Sequence, residues 1–116
     1  MTSALEHVDT IAQKHDKEKL RYELIPPEFL EATAEGLTYG ANKYAAGNWA
    51  RGGGLNHSRL FGALQRHLQA YWGGEDVDPE SGNSHLSHAA CMLAFLIAGV
   101  RRGLGKDDRK DIGVSR

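Results

Sequence analysis

Apolar residues recur at helical spacing in four stretches of the chain, and nowhere do apolar and polar residues alternate long enough to predict a sheet. The first predicted helix is amphipathic and runs from about Ser3 to Lys14. The others run from about Pro27 to Tyr44, from about His57 to Trp72, and onward from Ser84 or His85. We therefore expect an all-α protein, a compact bundle of four to five helices.

The spacing also predicts which faces lie inward. In the second helix the expected inward stripe is Leu30, Ala34, Leu37, Ala41 and Tyr44. In the third helix it is Leu60, Leu64, Leu68, Tyr71 and Trp72. The fourth helix is apolar on nearly every side after Ala89, so we expect it to be central.

The length of 116 residues leaves room for one domain, which we place at residues 1–104, followed by a polar flexible tail at 105–116. Such a domain has a modest core, and we expect it to form a homo-oligomer. A net charge of -1 without a basic stripe speaks against binding to duplex nucleic acid. The charged N-terminal stretch and the short apolar run from Ala89 to Val100 predict a cytoplasmic protein, neither secreted nor inserted in a membrane.

The candidate chemistry centres on histidines and carboxylates. His85 and His88 share one face at the start of the fourth helix, because residues three apart on a helix are neighbours. The loop before them carries several carboxylates, among them Glu75, Asp78 and Glu80, and His67 can face the same point if the third and fourth helices pack antiparallel. Carboxylates repel a nearby phosphate, and a divalent cation bound between them would offset that repulsion.

Each piece also has an ordinary structural interpretation. The acidic loop has the composition of a solvated turn, and His67 alone could be a hydrogen-bonded histidine at the edge of the core. The glycine-rich stretch Ala45–Asn56 could approach a ligand closely or simply connect two helices. The sequence lacks the P-loop, HExxH and GxSxG motifs, which excludes three large classes of hydrolase.

Two long segments resemble the phage and bacterial family called dATP/dGTP diphosphohydrolase, N-terminal domain. They read LIPPEFLEATAEGLTYGANKYAAGNW and GALQRHLQAYWGGEDVDPESGNSHLSHAACMLAFL, and the resemblance covers about residues 15 to 98. It implies a MazG-like all-α fold and relatives that split a nucleoside triphosphate into monophosphate and pyrophosphate with Mg²⁺ or Mn²⁺. MazG-like enzymes carry ExxE and ExxD, whereas the corresponding helix here reads His85-Leu86-Ser87-His88.

Two hypotheses follow for the function. In the first, the protein is a metal-dependent pyrophosphohydrolase acting on purine nucleotides such as dATP and dGTP. Its catalytic residues would be Glu75, Asp78 and Glu80, and its metal ligands would be these three with His85 and His88. Lys43, Arg51 or Arg66 would stabilise developing charge.

In the second hypothesis the same pocket sequesters a nucleotide or a cyclic nucleotide immune signal without cleaving it, as an anti-defence protein. The expected nucleotide-binding residues are Tyr39, Lys43, Tyr44, Asn48, Trp49, Arg66, His67, His85 and His88. A third possibility is a structural module whose polar residues only tie loops together.

Overall fold

A computed structural model describes residues 18–111 of the chain. It contains three α-helices, which are α1 (Pro27–Lys43), α2 (His57–Trp72) and α3 (His85–Arg102). Short 3-10 helices lie at Tyr22–Leu24 and Asn48–Gly53. The boundaries of α1 and α2 and the start of α3 agree with the sequence prediction to within a residue.

Between residues 18 and 111, paired extended backbone is confined to one isolated bridge, Val77 with Ser84. The prediction of an all-α protein is confirmed. The described part supplies three of the four to five helices expected, and the helix predicted between Ser3 and Lys14 lies outside it. None of the helices in this part combines the length and the apolar character needed to cross a bilayer.

Local signals set the helix ends. Pro27 occupies the first position of α1, where its fixed φ suits a helix and its missing N–H costs nothing. The Ser84 hydroxyl accepts from the N–H of Leu86, 3.0 Å away, and so caps α3. Gly103 ends α3 in the left-handed conformation, at a φ of 67°.

The third helix, α3, is central and packs against both α1 and α2. Its contact with α1 is close at Gly36, where a Cβ would overlap Cys91 Sγ and lie 3.0 Å from the carbonyl oxygen of Ser87. The Cys91 thiol donates to the carbonyl of Thr33 at 3.3 Å, and burial raises its pKa to about 11, which keeps it protonated. Small residues therefore let the two backbones approach.

The predicted inward stripe of α1 is wrong. Leu30, Leu37 and Tyr44 are 57%, 39% and 65% exposed. The helix instead turns its Gly36 side toward α3, because only a side without bulky side chains permits that approach. The stripe of α2 is only partly correct, since Leu60 is 3% exposed but Trp72 is 85% exposed.

The segment after α3, where the sequence predicts a flexible tail from residue 105, contacts the start of α2. Asp108 is buried, and its carboxylate accepts hydrogen bonds from both the backbone N–H and the hydroxyl of Ser58. The N–H of His57 donates to the carbonyl of Lys106 at 2.9 Å. The physical reason is that the first N–H groups of α2 need acceptors, and Asn56 contributes no side-chain cap.

Candidate functional site

The first feature of the site is a pair of histidines from facing helices. His67 on α2 and His85 on α3 place their Nδ1 atoms 2.9 Å apart. The Nε2 of His85 lies 2.6 Å from Glu75 Oε1 in the preceding loop. A carboxylate only accepts, so in the neutral form of His85 the proton lies on Nε2 and Nδ1 presents a lone pair toward His67.

A third imidazole completes the cluster. His88 stacks on His67 with ring centroids 4.8 Å apart, and the edge of Tyr39 approaches it at 5.7 Å. Its Nε2 lies 2.6 Å from Ser81 Oγ and 3.7 Å from Asp78 Oδ2. We call His67, His85, His88 and Asp78 the histidine cluster.

Burial controls the charge of two of these imidazoles, His67 and His88. It lowers the pKa of His67, and the neighbouring His88 and His85 lower it further. Burial also lowers the pKa of His88, although Asp78 partly opposes that change. Both side chains are therefore neutral near pH 7 and can accept a proton or bind a cation.

The acidic loop folds back on itself to bring Asp78 to the cluster. The N–H of Asp78 donates to the carbonyl of Asn83 at 2.9 Å, and its own carbonyl accepts from Gly82 at 2.8 Å. One ligand atom each from His67, Asp78 and His85 lies within 4.8 Å of the others. The loop thus brings one of its carboxylates to face two imidazoles.

Glu80 is held elsewhere. Its carboxylate pairs with Lys43 at the surface, and this hydrogen bond lowers the pKa of Glu80 and raises that of Lys43. Lys43 also lies 5.2 Å from the ring centre of Tyr44. The pair Lys43–Glu80 therefore ties the end of α1 to the acidic loop.

An open cleft of about 540 Å³ lies beside the cluster. It is lined by predicted nucleotide-binding residues together with others, including Tyr39, Tyr44, Asn48, Trp49, Arg59, His88 and Phe95. Trp49 stacks on Phe95 with centroids 4.8 Å apart, and the guanidinium of Arg102 lies 5.6 Å from the Trp49 ring centre. His88 belongs both to the cleft and to the cluster.

Comparison with known proteins identifies the family of this chain. The model of the family described as dATP/dGTP diphosphohydrolase, N-terminal, matches residues 9–109. The chain belongs to this family. A dATP/dGTP diphosphohydrolase of Salmonella phage PMBT28 is 36% identical to it over 97 residues, which are 84% of this chain and 32% of the phage protein. The chain thus spans about a third of the length of that relative, and no solved structure matches it.

The structure groups the predicted residues of this chain into two neighbouring sets. Glu75, Asp78, His67, His85 and His88 come together around α3. The aromatic residues and Asn48 line the cleft. Arg51 and Arg66 are exposed, on the 3-10 helix and on α2.

Sequence reasoning missed three residues of the site. Arg59 and Phe95 line the cleft, and Ser81 hydrogen-bonds His88. The glycine after Ser81 marks a turn, but no spacing rule connects that turn to the next helix. Arg59 lies in the first turn of α2, directly after the glycine-rich stretch, and that position is the one signal that could have indicated it.

Proposed function

We propose that this domain binds a purine deoxynucleoside triphosphate of the dATP/dGTP type and hydrolyses it to monophosphate and pyrophosphate. The observation that carries the proposal is that His88 joins an aromatic cleft to a cluster of histidine and carboxylate groups. Cleft and cluster match the two halves of a nucleotide, an aromatic base and a polyphosphate. The name of the phage relative supports the same substrate class.

The aromatic wall of the cleft suits the base. Bases stack on aromatic rings, at about 1–3 kcal/mol per base. Trp49 is held in place by Phe95 on one side and by the Arg102 guanidinium nearby. A base between Trp49 and the tyrosines would direct its phosphates toward Arg59 and His88, which supply positive charge and hydrogen-bond donors.

His88 is the residue best placed to exchange a proton with the ligand. It lines the cleft, its imidazole is neutral because burial lowers its pKa, and Asp78 lies 3.7 Å away to stabilise the protonated form. Ser81 Oγ orients its Nε2. In the proposed reaction, the His88 imidazole accepts a proton from the attacking water.

The proposal includes dependence on a divalent cation at the histidine cluster. When bound, such an ion neutralises phosphate charge and polarises the phosphorus–oxygen bonds. His67, Asp78 and His85 would hold it, and Glu75 would orient His85. Glu80 has no part in this proposal, because Lys43 engages its carboxylate.

The test is incubation of the tag-free protein with a panel of nucleoside triphosphates, with Mn²⁺ or Mg²⁺ and with EDTA. Chromatography should show deoxypurine monophosphate and pyrophosphate that form only when metal is present. His88→Asn should lower turnover by roughly 100-fold or more, the usual contribution of general acid–base catalysis. His57→Asn is the matched control, because His57 faces the carbonyl of Leu104 instead.

A second candidate is sequestration of a linear or cyclic nucleotide without cleavage. It is favoured by the presence of His85 and His88 at positions where MazG-like hydrolases carry carboxylates, because imidazoles can donate to phosphate without any metal. Recovery of intact nucleotide after denaturation of a tight complex would support this candidate. Failure of the protein both to bind and to cleave any nucleotide would refute the two candidates together.

We also propose that the protein is a homo-oligomer. Large apolar side chains on all three helices are exposed, including Leu30 on α1, Trp72 on α2 and Val100 on α3. Apolar area of this kind favours burial against a partner. Light scattering coupled to size-exclusion chromatography should give a mass that is a multiple of 12.7 kDa, and a monomer at micromolar concentration would contradict the proposal.

A further inference from the structure

We propose that His67, His85 and Asp78 form a binding site for a divalent ion that accepts imidazole nitrogen, such as Co²⁺, Zn²⁺ or Mn²⁺, with Glu75 as the positioning residue for His85. The proposal deepens the proposed function, because it identifies the kind of ion at the same cluster. Metal binding itself does not depend on nucleotide hydrolysis. The two claims can therefore fail separately.

The geometry of the two imidazoles supports a shared ion. Two nitrogens bound to one metal at about 2.1 Å each lie roughly 3.0–3.4 Å apart for angles between 90° and 110°. The Nδ1 atoms of His67 and His85 are 2.9 Å apart, so a small opening of the pair would accommodate an ion. Asp78 offers the third ligand atom, within 4.8 Å of the other two.

The three ligands come from separate parts of the chain. His67 lies on α2, His85 on α3 and Asp78 in the loop between them. Two of the three are fixed by helices that pack against each other, and His85 is only 5% exposed. Such an arrangement differs from a solvated acidic turn, in which the carboxylates face water independently.

Glu75 determines which nitrogen of His85 faces the site. Its Oε1 lies 2.6 Å from Nε2 and accepts a hydrogen bond from Nε2–H, which in the neutral ring leaves Nδ1 as the nitrogen with a lone pair. Metal-binding histidines commonly hydrogen-bond a carboxylate through their other nitrogen, which fixes the ring and makes it more basic. Glu75 is about half exposed, so its replacement leaves no buried hole.

The donor set disagrees with Mg²⁺, which the family resemblance allows as one of two ions. Mg²⁺ prefers oxygen ligands in an octahedron, whereas imidazole suits Zn²⁺ and Co²⁺ and is also accepted by Mn²⁺. Two nitrogens and one carboxylate oxygen match the three-ligand sets of catalytic zinc sites, which keep a further position for water or substrate. We therefore expect the ion to be a transition metal.

The experiment uses the full chain without a histidine tag, stripped of metal with EDTA and then dialysed. Co²⁺ is titrated alone, and its visible d–d absorption reports nitrogen and oxygen ligation. Mn²⁺, Zn²⁺ and Mg²⁺ are then added as competitors. We expect one Co²⁺ per chain, displacement by Zn²⁺, and no displacement by Mg²⁺ at a 100-fold excess.

Variants assign the ligands. Asp78→Asn and His67→Gln should each weaken Co²⁺ affinity by more than about 100-fold, and Glu75→Gln by about 10- to 100-fold, as for outer-shell partners. His57→Gln and Asp76→Asn are matched controls, a histidine at the far end of α2 and a carboxylate of the same loop. Far-UV circular dichroism verifies that each variant is folded.

The outcomes separate the claims. Absence of Co²⁺ binding by the folded wild type, displacement by Mg²⁺, or unchanged affinity in both Asp78→Asn and His67→Gln would overturn the metal site. Unchanged affinity in Glu75→Gln would overturn the positioning role. Saturable metal binding without any turnover of nucleotide would support the site and contradict only the proposed hydrolysis.

Discussion

The contact of Gly36 with α3 leads to a prediction about how the site is held together. Gly36→Ala adds a methyl group that would overlap Cys91 Sγ and lie 3.0 Å from the carbonyl oxygen of Ser87. The backbone atoms of α3 cannot yield easily, so α1 must move outward. Tyr39, nearly one turn further along α1, approaches His88 at 5.7 Å and would move with it.

Gly40→Ala supplies the matched control. Gly40 lies in the same helix, and a Cβ there meets nothing within 4 Å. Both substitutions gain the helix propensity of alanine over glycine, about 0.8–1.0 kcal/mol. Only Gly36→Ala adds the cost of overpacking, about 1–3 kcal/mol. The free energy of unfolding should therefore be about 1–3 kcal/mol lower for Gly36→Ala than for Gly40→Ala.

Urea denaturation followed by circular dichroism measures this difference directly. For a domain of about 100 residues, each kcal/mol of this difference corresponds to a shift of roughly 4–8 °C in melting temperature. Cys91→Ala in the Gly36→Ala background should recover part of the loss, because it removes the overlapping sulfur, and a double-mutant cycle gives the coupling energy. Equal stability of the Gly36→Ala and Gly40→Ala proteins would refute the close helix contact.

Three further predictions concern charge, stacking and capping. In the metal-free protein, burial lowers the pKa of His67 from 6.5, so as pH falls the unfolded chain binds a proton before the folded chain does. The free energy of unfolding should therefore decrease as pH falls below about 6.5. His67→Gln should make this decrease smaller in urea titrations between about pH 5 and pH 8. Trp49→Ala should weaken nucleotide binding about 5- to 100-fold in calorimetry, as expected for the loss of one stacked base, whereas the exposed Trp72→Ala should not. Asp108→Asn should lower the melting temperature more than Asp111→Asn, because only Asp108 accepts hydrogen bonds from the start of α2.

The sequence predicts where the helices begin and end better than it predicts which face of each helix lies inward. Helix ends depend on neighbouring residues such as Pro27 and Gly103, whose effects are local and visible in the sequence. The inward face of α1 depends instead on how closely another helix can approach. Hydrophobic periodicity favours Leu30 and Leu37 as inward residues, but the close contact is made at Gly36. Its partners Ser87 and Cys91 lie 51 and 55 positions further along the chain.

In the candidate site, too, features that depend on helical spacing could be predicted, whereas those that depend on the path of a loop could not. The convergence of His67, His85 and His88 could be predicted. The loop between α2 and α3 lets the two helices pack antiparallel, and the spacing of three residues puts His85 and His88 on one face of α3. The roles of the loop carboxylates could not be predicted, since a turn has no period that assigns directions to its side chains. The turn's own hydrogen bonds bring Asp78 to the cluster, while Lys43 holds Glu80 at the surface.

Stability and site chemistry are coupled in this domain because the described core is largely polar. Leu60, Ala89 and Cys91 are its buried hydrophobic residues, whereas its buried polar residues are His85, Ser87, His88 and Asp108. Buried polar atoms cost free energy unless they are paired, and within residues 18–111 every fully buried side-chain nitrogen or oxygen has a partner. Truncation of His85 would leave the cluster with lost packing and unmet hydrogen bonds, so it should unfold the domain as well as inactivate it. Substitutions at the partly exposed Asp78 and Glu75 change the chemistry with less effect on the core, which is why they are the variants that can separate function from folding.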